Sequence, residues 1–293
     1  MKIDAHHHLW DLSKVDYPWL MDKGKMRFFG DPTTIQRNYS WQEYSQDAKS
    51  GGFHGSVHIQ VGATDPIEEA KWVDSINQKT HFWPIVQVAF ADLTDVELPR
   101  NLDRLQDLKS VRGIRQIVGR APEEDTLTSV NTLIKHPNFS KGLNEISERG
   151  LTFDLQLIPE FIEIIAPILK KVPDLNVVLC HAGSPYNRTA AGLTDWSERL
   201  QDLSDLKNVY CKLSGLGMFE HNWSIKSIKP IVETVIHQFG SERVMFGSNF
   251  PVDSISSDFN KLITSYEYIL SQYSTKQRNE VFGLTAKNFY SIT

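Results

Sequence analysis

Short apolar runs alternate with longer amphipathic ones along the whole chain, and the alternation repeats eight times. The strand-like runs lie at 2–5 (leading into 6–10), 55–61, 82–90, 112–118, 151–157, 176–181, 209–213 and 243–247. Between and after them come helix-period patterns. Ser40 with Glu43 three positions on reads as the start of a helix that stops near Gly51-Gly52. Asp65 caps a pattern over 66–78 with an acidic first turn. Further patterns cover about 97–108, 128–148 with an interruption near His136-Pro137, 159–171 behind Pro159, 195–203, 225–239 and 259–272. A last helix over 276–290 closes the chain, and the Pro-, Gly- and aromatic-rich stretch 11–39 reads as an extended loop over one face.

Strands separated by helices of this length imply parallel βαβ units. Eight of them predict an α/β fold of the closed (β/α)8 TIM-barrel type, one domain over 1–293 with the 11–39 loop over its mouth. A doubly wound open sheet would want a glycine-rich phosphate loop after the first strand, and that position holds HHHLWD.

Composition narrows the function classes. The formal charge is −5, from 31 basic and 36 acidic residues, which argues against a polyanion such as nucleic acid as partner. Two cysteines give no disulfide framework. The start MKIDAHHH lacks the pattern of a signal peptide, and no window is apolar enough for a membrane span, so a cytoplasmic protein is expected. The oligomeric state stays open, a homodimer being one option.

Polar side chains gather at the strand ends. By alternation, one face takes Asp4, His6 and His8, then Ser56, His58 and Gln60, Gly113, Arg115 and Ile117, and Thr152, Asp154 and Gln156. Val177, Leu179 and His181 follow, then Tyr210, Lys212 and Ser214, and Met245, Gly247 and Asn249. Burying so many polar groups without partners costs on the order of 2–7 kcal/mol each. Their clustering where barrel enzymes place catalysis reads as a site. His6 and His8 lie on the same side of one strand, and His181 comes from the sixth. Three imidazoles can hold one divalent metal, zinc or manganese, with water in the remaining position, or act on substrate without a metal. Histidines bonded to backbone or carboxylates are the structural alternative. Arg115 and Lys212 are candidate anion clamps, or partners of Asp154 in an interior ion pair. Gln60, Gln156 and Ser214 can hydrogen-bond a polar substrate or serve structure. Trp10, Tyr186 and Phe250 can wall a pocket or pack loops. Cys180 and Cys211 fall on the opposite parity, facing helices as core thiols. His54, His136 and His237 read as surface or loop residues.

The segments DAHHHLWD (4–11), VRGIRQIVG (111–119), LTFDLQLIP (151–159), VVLCHAGSP (177–185), VYCKLSGL (209–216) and RVMFGSNFPVD (243–253) occur in the order found in a known family. Together they resemble the amidohydrolase-2 branch of the amidohydrolase superfamily, which includes 2-pyrone-4,6-dicarboxylate lactonase and sugar-acid lactonases. The resemblance spans essentially the whole chain. It implies a distorted barrel that hydrolyses a small lactone, with His6, His8 and His181 matching the family's histidines and a metal in some members but not others. It also exposes a departure. The family's eighth strand ends in Gly-Ser-Asp, and here Asn249 replaces the aspartate that deprotonates the hydrolytic water. An amide is no general base at neutral pH, though it can ligate a metal or orient water. Asp253, His181 and Asp154 are the candidate substitutes. A decarboxylase of the same superfamily and a non-catalytic small-acid-binding barrel are the alternatives.

Overall fold

The computed structural model describes residues 1–80, 82–128 and 130–293, apart from the side chains of 126–131. Among the described residues there are eight strands, all parallel and in sequential order: β1 Lys2–His7, β2 Phe53–Ile59, β3 Ile85–Phe90, β4 Val111–Ile117, β5 Thr152–Gln156, β6 Val177–Leu179, β7 Val209–Leu213 and β8 Val244–Phe246. They form the expected α/β barrel. Helices Trp41–Ser50 and Pro66–Asn77 start where Ser40 and Asp65 accept backbone N–H bonds. The strand at 209–213 and the helix at 225–239 run as expected. The helix expected at 195–203 is longer, Ala190–Ser204, because Thr189 Oγ1 caps it by accepting from Gly192 N. The 128–148 stretch resolves into a 3-10 turn Val130–Lys135 and helix Phe139–Glu148, preceded by helix Pro122–Thr128; its Ser129 lies outside the described residues. The last helix is broken by a π-turn at Glu280–Leu284.

The interior is filled from below. Ile3, Ala5, Val57, Ile59, Val86, Val88, Val178 and Met245 pack with Ala286, Phe289, Tyr290 and Ile292, so the C-terminal segment plugs the bottom. Within this apolar layer lies an ion pair: Lys212 Nζ is 2.6 Å from Asp154 Oδ2, and the Tyr290 hydroxyl donates to the same carboxylate at 2.9 Å. By register Asp154 sits beside Val178 and Lys212 beside Met245.

No strand ladder joins β8 to β1. The seam is closed instead by Asn249 N donating to the His6 carbonyl (2.7 Å) and His8 N to the Phe250 carbonyl (2.8 Å). The Asp4 carboxylate reinforces it, accepting from Ser248 N (2.8 Å), Ser248 Oγ (2.6 Å), His6 N (3.1 Å) and Tyr44 Oη (2.9 Å).

Two alternation readings are corrected here. Asp4 does not share a face with His6 and His8. Register shifts on either side of Asp4 put Ile3 and Ala5 inside, send Asp4 and His7 toward the helix layer, and then turn His6 and His8 inward. In β2 the inward residues are Val57 and Ile59, so Ser56 and His58 face outward, toward Trp83 and Glu69. Cys180 is also corrected: Val178 is the inward residue of β6, and the Cys180 thiol, just beyond the strand, lies in range of Lys212, Arg115 and Asp154. Cys211 packs with the helix-side core as expected.

Asp4→Ala would strand two buried N–H groups and two hydroxyls at the seam, each costing about 1–3 kcal/mol. A loss above about 3 kcal/mol by denaturant unfolding is expected, against about 1 for Tyr44→Phe. Equal small losses would show that the carboxylate does not hold the seam.

Candidate active site

His8 leaves β1 with its ring turned into the barrel mouth. Nδ1 lies 2.8 Å from the Ile59 carbonyl, which can only accept, so Nδ1 carries the proton and Nε2 keeps a lone pair. That lone pair faces Asn249 Oδ1 at 3.3 Å, while the Asn249 amide donates to Asp253 Oδ1 at 2.8 Å. His181 stands on an unusual backbone. It and Ala182 both have φ 54, a left-handed conformation that costs each non-glycine residue of order 1 kcal/mol. This turn swings the ring inward after β6 has ended, and Nδ1 meets Ser214 Oγ at 3.0 Å. Gly215 is required beside it, since a Cβ there would run into the His181 ring. The His6 ring centroid is 5.1 Å from that of His8 and 4.7 Å from that of His181. Both His6 nitrogens are buried without a hydrogen-bond partner.

Burial and neighbouring cations keep these rings neutral. His8 is pushed down to about 3 by burial first and Arg115 second. His181 falls well below the usual imidazole range through burial, Arg115 and His8. His6 does so through burial, His181 and Lys212. Asp253, behind Asn249, is pushed up to about 7 by burial.

A cavity of about 280 Å³ opens at this mouth. Its polar lining includes His8, His181, Asn249, Arg115, Gln60 and Gln156, and Trp10, Trp19, Phe28, Phe29 and Met218 give much of its apolar lining. Arg115 donates to the Gln156 side chain and to the Gln60 carbonyl (3.4 Å), leaving its Nε and the Gln60 Oε1 without partners.

Several expected contact residues stand elsewhere. Asp154 and Lys212 form the interior ion pair, and neither lines the cavity. Ser214 supports His181 from outside it, and Asp253 supports Asn249. Tyr186 is not part of this cavity; its hydroxyl donates to Glu160 in a separate groove. Phe250 packs on Phe259, away from the mouth. Conversely, Trp19, Phe28, Phe29, Arg27 and Arg120 do line the cavity and were not singled out from the sequence. The run MRFF at 26–29 inside the mouth loop was the available signal. The loop carries short helical turns at Pro18–Met21 and Pro32–Ile35, and Trp19 Nε1 ties it down by donating to the Val61 carbonyl.

The amidohydrolase family model matches residues 3–292. The chain belongs to the amidohydrolase family. Among its relatives is an uncharacterized protein of Sinorhizobium fredii, 34% identical over 99% of this chain and 98% of that one. The L-fucono-1,5-lactonase of Burkholderia ambifaria is 25% identical, over 99% of this chain and 96% of that one. Among solved structures, an amidohydrolase of Burkholderia multivorans with bound zinc superposes with a TM-score of 0.84 at 21% identity, covering all of both chains. That likeness concerns the fold.

The family makes a metal worth testing against the donors present. Three neutral imidazoles and an amide oxygen are acceptable metal ligands. Among the described residues, however, no group of three or more His, Cys, Asp or Glu converges as a metal cage. As arranged, the residues do not fit a pre-formed metal centre. No described helix is long and apolar enough to cross a membrane.

The buried histidines set a pH dependence that His7 isolates. His7 is outside the cavity, stacked on Tyr44 at 3.9 Å, and burial holds it well below the usual imidazole range. A depressed imidazole contributes stability that is present above the unfolded value near 6.5 and is lost as pH falls. At about pH 5 that loss approaches 2 kcal/mol per ring. His7→Phe is therefore expected to gain about 2 kcal/mol on wild type between pH 8 and 5, read by denaturant midpoints at each pH. A constant difference across that range would contradict a depressed His7.

Proposed function

We propose that this amidohydrolase opens the ring of a small lactone with an activated water. One observation carries the reading. His8 Nε2 and Asn249 Oδ1 are two acceptors facing one another at 3.3 Å at the edge of a cavity. A water is the species that would satisfy both, since it can donate one hydrogen to each. Full-length similarity to an L-fucono-1,5-lactonase supports the same reaction class.

The chemistry then follows from the chain's own groups. Asn249 Oδ1 orients the water, and His8 Nε2 takes its proton as the oxygen bonds to the lactone carbonyl carbon. Ile59 holds the His8 tautomer that leaves Nε2 unprotonated. The Arg115 guanidinium, with Nε unpaired, faces the charge that develops on the carbonyl oxygen. When the tetrahedral adduct collapses, the ring C–O bond breaks and the His8 imidazolium returns its proton to the departing alkoxide. Burial beside Arg115 makes that imidazolium a strong acid, which suits the second half of the reaction. His181, locked by Ser214, is the second cavity imidazole and hydrogen-bonds the substrate. No step is assigned to a metal.

The test is titration of acid release from a panel of sugar and muconolactone substrates, with the enzyme as purified, after chelation, and with zinc or manganese added. Ring opening that survives chelation is expected. His8→Asn and His181→Asn are expected to lower kcat by about 100- to 10,000-fold and about 10- to 100-fold respectively. No ring opening above buffer under any condition would remove the proposal.

The loss of a carboxylate at Asn249 favours a second reading, a barrel that binds small acids without turning them over. Asn249→Asp separates the two. Turnover by the variant but not by wild type would establish the binder; turnover by wild type would exclude it.

A further inference from the structure

At the end of β2 the backbone offers three carbonyls in succession, and each holds a group of the site. The Ile59 carbonyl takes the Nδ1 proton of His8 (2.8 Å), the Gln60 carbonyl accepts from Arg115 (3.4 Å), and the Val61 carbonyl accepts from Trp19 Nε1 (2.8 Å). The proposed base, the cavity guanidinium and the mouth loop therefore take their positions from one stretch of chain. What holds that stretch lies behind the barrel wall. Glu69 belongs to the acidic first turn of helix Pro66–Asn77, where its neighbour Glu68 is exposed, but Glu69 is turned inward and only 2% exposed. Its Oε1 accepts from Val61 N at 2.7 Å and lies 3.5 Å from His58 Nε2. One carboxylate oxygen thus brackets Ile59 and Gln60 from both ends. His58 passes the hold on to the end of β1: its Nδ1 accepts from Leu9 N at 3.2 Å, which leaves the ring proton on Nε2, toward Glu69. His8 N is bonded to the Phe250 carbonyl, so the peptide groups on both sides of the His8 side chain are pinned. Neither Glu69 nor His58 lines the cavity. Burying a carboxylate is costly unless it is bonded, and among the described residues the hydrogen bond that Glu69 makes is to this stretch.

We propose that Glu69, acting through Val61 and His58, is the positioning residue of this site: it fixes the 58–61 segment and with it the His8 tautomer, the Arg115 guanidinium and the anchored mouth loop. Glu69 touches no reacting atom. Its consequence for turnover rests on the hydrolase reading above, whereas its effect on the His8 ring does not. Without the bracket the Ile59 carbonyl drifts, and a His8 ring that has lost this acceptor moves its proton to Nε2, where it can no longer take one from water. The two residues differ in reach. His58 grips β1 alone, so its loss disturbs His8 and leaves Arg115 and Trp19 in place. Glu69 grips the whole segment, so its loss disturbs all three.

The experiment reads the His8 tautomer by nitrogen-15 NMR, and kcat and KM with muconolactone or the sugar lactone that wild type opens faster. It uses the full chain as wild type, Glu69→Leu, Glu69→Gln, His58→Leu and His58→Asn. Asp74→Leu is the structural control: Asp74 sits on the same helix and accepts from Ser110 and Gln78, away from the 58–61 segment. In Glu69→Leu the His8 proton is expected to divide between Nδ1 and Nε2, kcat to fall about 10- to 100-fold and KM to rise at least about threefold. His58→Leu is expected to change the tautomer and kcat in the same sense, with KM within about twofold of wild type. Glu69→Gln keeps an oxygen for Val61 N, and His58→Asn keeps an acceptor for Leu9 N; both are expected to hold the tautomer and to stay within about fivefold of wild-type kcat. Asp74→Leu is expected to lose stability to denaturant with the His8 tautomer unchanged. A folded Glu69→Leu with His8 wholly Nδ1–H and kcat within about twofold of wild type would overturn the proposal. So would a tautomer change in Asp74→Leu as large as that in Glu69→Leu. Should Glu69→Leu not fold, an unchanged tautomer in His58→Leu overturns it instead. No turnover by wild type would remove the hydrolase reading, and the tautomer comparison would still decide the role of Glu69.

Discussion

Closing a parallel barrel at the junction between its first and last strands is the constraint on which the mouth depends. Here that junction has no ladder; it is held by two backbone hydrogen bonds and by the Asp4 carboxylate gripping Ser248. The same few residues carry the chemistry. His6 accepts from Asn249 N, and His8 donates its N–H to Phe250, so the bonds that close the wall also set the spacing of His8 and Asn249. Gly247 belongs to this arrangement, since a Cβ there would lie 2.5 Å from His6 Cβ. Burial pushes Asp4 up to about 6, so its carboxylate is ionised and acceptor-only at neutral pH.

Above that seam, the interior changes character in stages. An apolar plug gives way to one ion pair, then to three neutral imidazoles, then to a cavity bordered by arginines. The cations do more than attract. Arg115 and Lys212 help keep the rings unprotonated, and neutral imidazoles are what a proton-accepting site needs. The Lys212–Asp154–Tyr290 cluster ties this electrostatic floor to the C-terminal segment, so the end of the chain closes the bottom and also fixes a charge beneath the site.

Much of this was legible in the sequence, because periodicity reports elements well. Eight strands, their helices and the meeting of His6, His8 and His181 follow from the alternation of runs and from where polar residues stop them. Alternation within a strand failed where the backbone departs from regularity. The irregular register around Asp4 reverses its face relative to His6, and the left-handed His181-Ala182 turn brings an imidazole inward from what would be the wrong parity. Neither leaves a period-2 trace. The arginines of the cavity were missed for a different reason: Arg27 sits in a loop and Arg120 one turn past a strand, and their convergence on Glu124 is a property of packing alone.

The central claim is that His8 and His181 stand neutral, with the His8 proton on Nδ1 and its Nε2 lone pair turned to the cavity. Nitrogen-15 NMR of the histidine side chains, followed from about pH 8 to 5, tests it directly. The expected result is two rings that do not titrate over that range, with His8 locked as the Nδ1–H tautomer. Rings that titrate near 6.5, or a His8 that carries its proton on Nε2, would contradict it.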